Sequence, residues 1–546
     1  MKNKFFHNLQ GAGQLLFVFL TMTFVVETLR LMLGLPPLGA SPIIGLAVAI
    51  YWAWKFHRKD IGSFFIFVFL LAFCGWGAYL FYDLSFDGQW YHQDAIIHLR
   101  DGWNPFWDAP LAHSAVSGFN ADYVNHYAKA PWTLASAFYQ CIPKIQWSKA
   151  GGLLWLTTSF LITLGGLFRW TQRPFVSIIV ALMLALSPVS LGQSLSFYVD
   201  GQLYALMLIL IILLADIFID GPSFYRWFSV GLAFIYLSNI KFTGLVYACI
   251  FFLGLWIVVA IKNKKILWNV TLRGAIIFVL AFFLVGHCTY VRNWRDKGHP
   301  FYPLMGAHNE GTRIAQVHYP KNFFDMNPLQ RWNAATFHYP GYTSPDQFPS
   351  RPKRLFHRKT VRESFLYYRL HQPMLIAPLG PFSAELILLI IPLFLFLLWR
   401  NRKGIFPWLL GGIILSVVIQ PEFWNYRYAP HQLFVYAFVL LFGLLDANRW
   451  VQRYSLIIVF GFLANFSIIG YEYYQWNRQG SRAIRADRRA LKNHTLYVKK
   501  GWLKSMEVRL NEWNVEAIKP PNNLPSTDWK SFAADDFSDW KYIFVR

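Results

Sequence analysis

Apolar runs of roughly 18 to 22 residues recur from Leu15 to Ile468, each long enough to cross about 30 Å of hydrocarbon as a helix. In a bilayer the backbone polar groups must be satisfied without water, which leaves helices as the economical solution for such segments. Only 14% of the 546 residues are charged and 55% are hydrophobic, against about a quarter charged in a soluble chain. The expectation is an all-α polytopic membrane protein with about 13 spans. They fall near 13–34, 38–55, 61–82, 151–168, 175–193, 203–219, 227–240, 243–261, 274–290, 384–399, 405–420, 431–447 and 455–472. The first run lacks a small-residue cleavage site and reads as a retained helix rather than a signal peptide.

This count divides the chain into N-terminal helices (1–82), a first external loop (83–150), a helical block (151–290), a second large external loop (291–383), C-terminal helices (384–472) and a small external C-terminal segment (473–546). Short basic links such as Lys55–Lys59, Lys262–Arg273 and Arg400–Lys403 fall on one side, which the positive-inside rule makes cytoplasmic. Both long loops, Tyr198-Val-Asp200 and Glu422–Pro430 fall on the other. The segments rich in acids, aromatics and prolines therefore share one face, with the protein expected in the inner (cytoplasmic) membrane and its site facing the periplasm or cell exterior. One run breaks the charge pattern. Arg478, Arg482, Arg485, Arg488 and Arg489 open the C-terminal segment, so they either signal a miscount or meet anionic groups at the outer surface.

The net charge of +23 is accounted for by these links, and no nucleic-acid partner is expected. Membrane lipids are. Cys74, Cys141, Cys249 and Cys288 are scattered without metal-ligand or disulfide spacing. No glycine-rich phosphate loop is visible, no metal site is expected, no cofactor is called for, and nothing in the spacing supports a divalent cation.

Chemistry gathers in Phe86-Asp-Gly-Gln-Trp-Tyr-His-Gln-Asp94, where the chain leaves an apolar run. As a helix, this stretch places Asp87 and Asp94 on nearly one face, about 10 Å apart along the axis. That separation is too large to share a proton or one ion, so one acid is chemical and the other structural or substrate-binding. Asp87, at the membrane boundary, is the candidate base. His92 is a second proton carrier or a hydrogen-bonding partner, and Tyr91 stands beside it. Lys129, Lys241, Arg292, Arg295 and Arg427 lie on the same expected face beside aromatics that include Tyr428. One interfacial cation is commonly a snorkelling side chain. Several converging from separate segments point to a bound anion, phosphate above all. Gly298-His-Pro-Phe-Tyr-Pro-Leu304, carrying Tyr302, cannot be regular helix because of its two prolines, and suits either an interfacial aromatic belt or the wall of a cleft.

Together these motifs resemble the GT-C superfamily of membrane glycosyltransferases that use polyprenyl-phosphate sugars, in particular the protein mannosyltransferase and aminoarabinose transferase group. Asp87-Gly-Gln-Trp-Tyr-His92 with Gly102-Trp-Asn-Pro105 resembles the first external loop. His126-Tyr-Ala-Lys-Ala130, Lys241-Phe-Thr-Gly244, Arg292-Asn-Trp294 with Pro300–Pro303, and Arg427-Tyr-Ala-Pro430 resemble later stretches in their usual order. Many relatives carry Asp-Glu where this chain has Asp87-Gly88, and many have one helix before the first loop where this chain has three. The resemblance implies a polyprenyl-phosphate-linked sugar as donor and an envelope lipid, glycan or protein as acceptor. It makes Asp87 the general base, with Asp94 and Asp200 orienting the acceptor or holding a cation in place, and with some of the cations stabilising the leaving phosphate. Two alternatives stay open: a lipid-linked polysaccharide polymerase or ligase, and a transporter or flippase of lipid-linked glycans. The helix centres are nearly free of charge, which argues against transport.

Overall fold

A computed structural model describes residues 2–56, 61–116, 121–307, 325–338, 355, 379–404, 406–500, 505–521, 529–532 and 541–545. Much of the expected 291–383 loop, and part of the Lys55–Lys59 link, lie outside these residues. The chain is mostly helical, at 74%.

Among the described residues, eight helices are long and apolar enough to cross a membrane: Lys4–Met32, Ile61–Leu80, Ile145–Thr171, Asp200–Asp220, Phe242–Lys262, Lys264–Val285, Ser383–Arg400 and Arg449–Leu491. Four shorter apolar helices accompany them, Ser41–Phe56, Pro174–Ala185, Phe406–Val418 and Gln432–Leu445. The segment expected as one span over 175–193 is broken, because Pro188 cannot continue a helix. A new one starts there, with the Ser187 hydroxyl accepting from the Ser190 amide at 3.1 Å.

Burial sorts these helices. Asp200–Asp220 is 72% buried and forms the centre of the bundle, whereas Ile61–Leu80 is only 28% buried. The latter turns Phe65, Phe69, Phe73 and Trp76 outward, a distribution that suits lipid and not water. Close approach of helices rests on small residues: a Cβ on Gly45 would fall 2.3 Å from Thr23 Oγ1 and 3.0 Å from the Phe19 carbonyl. Buried Glu27 is a structural acid. Its carboxylate accepts from Arg30 at 2.9 Å, Gln140 at 3.0 Å and Ser41 at 2.6 Å, tying three helices together.

The central Asp200–Asp220 helix is about 30 Å long and carries acids at both ends. At one end Asp216 and Asp220 pair with Arg169, and Asp220 also with Arg226. At the other end stands Asp200.

The C-terminal segment departs from the all-α expectation. Arg449–Leu491 is one continuous 43-residue helix, about 65 Å long, which runs past the other helices into a four-stranded sheet. Here β1 (Thr495–Lys499) pairs in parallel with β2 (Glu516–Ile518) and antiparallel with β4 (Lys541–Phe544), which in turn pairs with β3 (Lys530–Ser531). A helix, Ser505–Glu512, connects β1 to β2. The segment has too few apolar residues for a core of its own and shares one with the first loop. Leu496, Met506, Leu510 and Trp513 pack in a single cluster with Tyr82, Leu84, Trp90 and Leu99.

Candidate functional site

Where Ile61–Leu80 ends, the chain turns through residues 81–87 into a π-helical turn, Gly88–His92, followed by the α-helix Gln93–Arg100. π-helical turns are rare and frequent at functional sites. Asp83 sets the geometry of this entry. Its buried carboxylate accepts from the amides of Ser85 at 2.8 Å and Phe197 at 3.0 Å, and burial pushes the acid above its ordinary range. Gly88 is required beside it, because a Cβ there would fall 2.1 Å from Ser85 Oγ and 2.2 Å from Asp83 Oδ2.

Four residues from four distant segments meet just beyond this turn. Arg427 donates through Nη2 to Asp87 Oδ2 and through Nε to Asp200 Oδ2, each at 2.7 Å. Lys241 donates to the other oxygen of Asp200 at 2.9 Å, and Gln193 adds a third donor at 3.0 Å. Gln193 Oε1 in turn accepts from the Gly201 amide at 2.7 Å. Asp200 sits in the first turn of its helix, where a negative charge is favoured. The Arg427 guanidinium lies 4.5 Å from the Tyr198 ring centroid, and Lys241 lies 4.7 Å from that of Tyr428. Burial opposes the charge on Arg427, but Asp200 and Asp87 outweigh it and hold the group protonated far beyond its ordinary range. Two acids and two cations leave the cluster formally neutral.

Exposure within the quartet is graded. The Asp200 side chain is 1% exposed, Arg427 11%, Lys241 17% and Asp87 19%. Asp200 is thus the anchor, while Asp87 and Lys241 are the members a ligand reaches first.

An aromatic wall flanks Asp87. Tyr91 packs against His92, Tyr123, Tyr127 and Trp132. His92 Nδ1 accepts from Trp132 Nε1 at 2.7 Å, which places the proton of a neutral ring on Nε2. Burial drives its basicity down to about 3, against the opposing pull of Asp87 and Asp200. His92 is therefore a neutral, oriented ring at physiological pH and not a charged proton carrier.

The remaining sequence candidates lie elsewhere. Asp94 is buried at the start of Gln93–Arg100, outside the set that Arg427 and Lys241 bind. Lys129 is buried, donates to the carbonyls of Asn125 at 2.9 Å and Tyr127 at 2.8 Å, and is pushed down to about 8 by burial. Arg292 donates to the carbonyls of Pro105 and Asp108, and exposed Arg295 pairs with Asp296. The Tyr302 ring packs on His126, whose Nδ1 lies 2.7 Å from Asn293 Oδ1. Arg292 and Tyr302 therefore stitch the 83–150 segment to the 291–304 segment, while Lys129 braces the first of them from within. Of the five cations expected around one anion, the structure brings two to the acids.

Sequence reasoning missed Asp83, Gln193 and Trp132, each a supporting group; Asp83 and Trp132 also bond across 114 and 40 residues of sequence. Glu422 is another acid near this end of the bundle; burial raises it, with Lys241 and Arg331 opposing. Among the described residues no group of three or more His, Cys, Asp or Glu could hold a metal ion.

Comparisons with family models, curated proteins and solved structures find no match to this chain.

Proposed function

We propose that this chain is an integral-membrane glycosyltransferase that moves a sugar from a polyprenyl-phosphate donor to a hydroxyl of an envelope lipid, glycan or protein. The observation that carries the reading is the Asp87–Arg427–Asp200–Lys241 quartet at the end of a bundle of apolar helices. A lipid-borne donor arrives from the membrane, and its phosphate needs cations that do not have to be drawn out of water. Arg427 and Lys241 meet that need, held in place by Asp200.

In this reading Asp87 takes the proton from the acceptor hydroxyl, whose oxygen attacks the anomeric carbon. The bond from that carbon to the phosphate oxygen breaks, and the polyprenyl phosphate leaves with the electron pair, its charge met by Arg427 and Lys241. The proton stays on Asp87 until the product departs. Arg427 links two tasks. While it holds Asp87, the Oδ2 oxygen is occupied; as the guanidinium turns to the incoming phosphate, that oxygen is freed. The two Tyr rings beneath the cations supply a further stabilising face.

The test is transfer of labelled sugar from synthetic polyprenyl-phosphate donors to envelope lipid and glycan acceptors by the purified, reconstituted chain. Asp87→Asn keeps shape and hydrogen bonding to Arg427 but loses the base, and its transfer should fall at least a thousandfold with the melting temperature little changed. Near-normal turnover by that variant defeats the assignment of Asp87, and uptake of lipid-linked glycan without transfer defeats the enzyme reading.

A further inference from the structure

Arg478, Arg482, Arg485, Arg489 and Lys492 are spaced by four, three, four and three residues on the Arg449–Leu491 helix and its C-cap, so they form one stripe about 20 Å long. The buried face of the same helix, with Asn477, Ser481, Ile484 and Leu491, lies to one side of it. Arg482, Arg489 and Lys492 are exposed, and Arg478 and Arg485 half-buried. Asp487, the acid within this stretch, falls about half a turn away from the stripe. No ion pair joins any of the five to an acid among the described residues.

Two observations fix the depth of this stripe. Arg485 donates to the carbonyl of Leu80 at 2.6 Å, and Leu80 is the last residue of a candidate membrane span. Just before the stripe, on the same helical arc, Tyr471 and Tyr474 are exposed, with Tyr79 exposed on the neighbouring helix. Exposed tyrosines followed at once by cations are the layering of a membrane interface. Like charges at these spacings repel along a helix, so an unneutralised stripe carries a standing cost that a row of phosphates would remove.

We propose that the Arg478–Lys492 stripe seats on the phosphate headgroups of anionic lipids in the leaflet adjoining the Asp87 end of the bundle. The helix emerges here beside the first loop, where the Tyr82 amide donates to Ser481 Oγ at 2.8 Å, and lipid phosphates at the stripe hold the C-terminal sheet upright over that loop. This does not depend on the reaction proposed above.

The experiment uses the full chain in nanodiscs of phosphatidylcholine with or without phosphatidylglycerol, followed by gentle delipidation and mass spectrometry of retained lipid. Wild type should retain phosphatidylglycerol preferentially, and Arg482→Gln/Arg489→Gln/Lys492→Gln should retain less than half as much. Lys262→Gln/Lys264→Gln/Lys265→Gln, which removes the same charge from the opposite end, should lose markedly less, and Arg482→Lys/Arg489→Lys should retain the wild-type amount. Equal losses in the two triple variants, no loss in the first, or equal retention of both lipids by wild type would overturn the proposal. Because the readout is lipid retention, it stands or falls apart from any measured transfer.

Discussion

Arg427 donates to Asp87 across 340 residues of sequence, through a 2.7 Å bond from Nη2 to Oδ2. The same guanidinium reaches Asp200 through its Nε, so one side chain fixes the loop acid against the central helix. The planar guanidinium presents its donors in a fixed fork and so holds the two carboxylates in one set geometry, which the rotatable point charge of a lysine does not. The base candidate is thereby coupled to the group expected to meet the donor phosphate.

Removing Arg427 should expose this coupling. Arg427→Ala leaves Asp200 with Lys241 and Gln193 and takes from Asp87 its cation, a loss of about 3–5 kcal/mol that a thermal melt in detergent will register. Arg427→Lys should restore much of the stability while transfer stays at least tenfold down, because a point-charge ammonium does not hold the two carboxylates in the fixed geometry of the planar fork. Full activity in the lysine variant would show that the two-carboxylate bridge is dispensable.

Gly88 tests the entry turn. Its missing Cβ is occupied space, 2.1 Å from Ser85 Oγ and 2.2 Å from Asp83 Oδ2. Gly88→Ala must displace the Asp83 carboxylate from the Ser85 and Phe197 amides, at about 1–3 kcal/mol. The melting temperature should fall in Gly88→Ala and be little affected by Gly254→Ala, where nothing lies within 4 Å.

The apolar runs made the helical bundle legible, because a hydrophobic stretch of that length has few other fates. They could not distinguish long spans from shorter packed helices: 175–193 reads as continuous hydrophobicity, yet Pro188 breaks it. Asp87, Asp200, Lys241 and Arg427 were each visible as polar residues at helix ends. Their grouping was hidden, since it depends on which helix ends are neighbours. Lys129 and Arg292 looked equivalent to Lys241 in sequence, but in the fold Lys129 donates to backbone carbonyls and Arg292 to two carbonyls and Asp296. The sheet was concealed for a similar reason. Its core is borrowed from Tyr82, Trp90 and Leu99, some 400 residues upstream.

Acid should destabilise the protein through its buried histidines. The His92 ring takes a proton near 6.5 when exposed and only near 3 when folded, with burial the main cause. His126 falls to about 4, again mainly through burial. Below 6.5 the unfolded chain therefore binds more protons than the folded one, and stability declines as the pH drops. Both histidines contribute between about 6.5 and 4, and His92 alone from 4 to 3, each at up to about 1.4 kcal/mol per pH unit. Melting curves from pH 7.5 to 4.5 should show this slope, and His92→Gln, whose amide oxygen can still accept from Trp132, should flatten it. An unchanged slope in that variant would remove His92 from the account.

The C-terminal segment should be needed for order at the Asp87 turn. Ser505 Oγ donates to the Gln89 carbonyl at 3.2 Å, and buried Arg509 reaches Gln89 Oε1 at 3.4 Å. Gln89 lies two residues from Asp87, inside the π-helical turn. The Arg509 guanidinium also lies 5.7 Å from the Tyr82 ring centroid, and Glu512 accepts from the Ile145 amide at 2.9 Å. Arg509→Ala removes a cation and its packing from a shared core, so the amides of residues 83–92 should exchange with deuterium at least tenfold faster, while those of Asp200–Asp220 keep their protection. Arg509→Lys retains the charge and most of the stem and should restore part of the protection. Faster exchange throughout the bundle would indicate general unfolding. Unchanged exchange at 83–92 would show that the turn holds its π-helical form without the C-terminal segment.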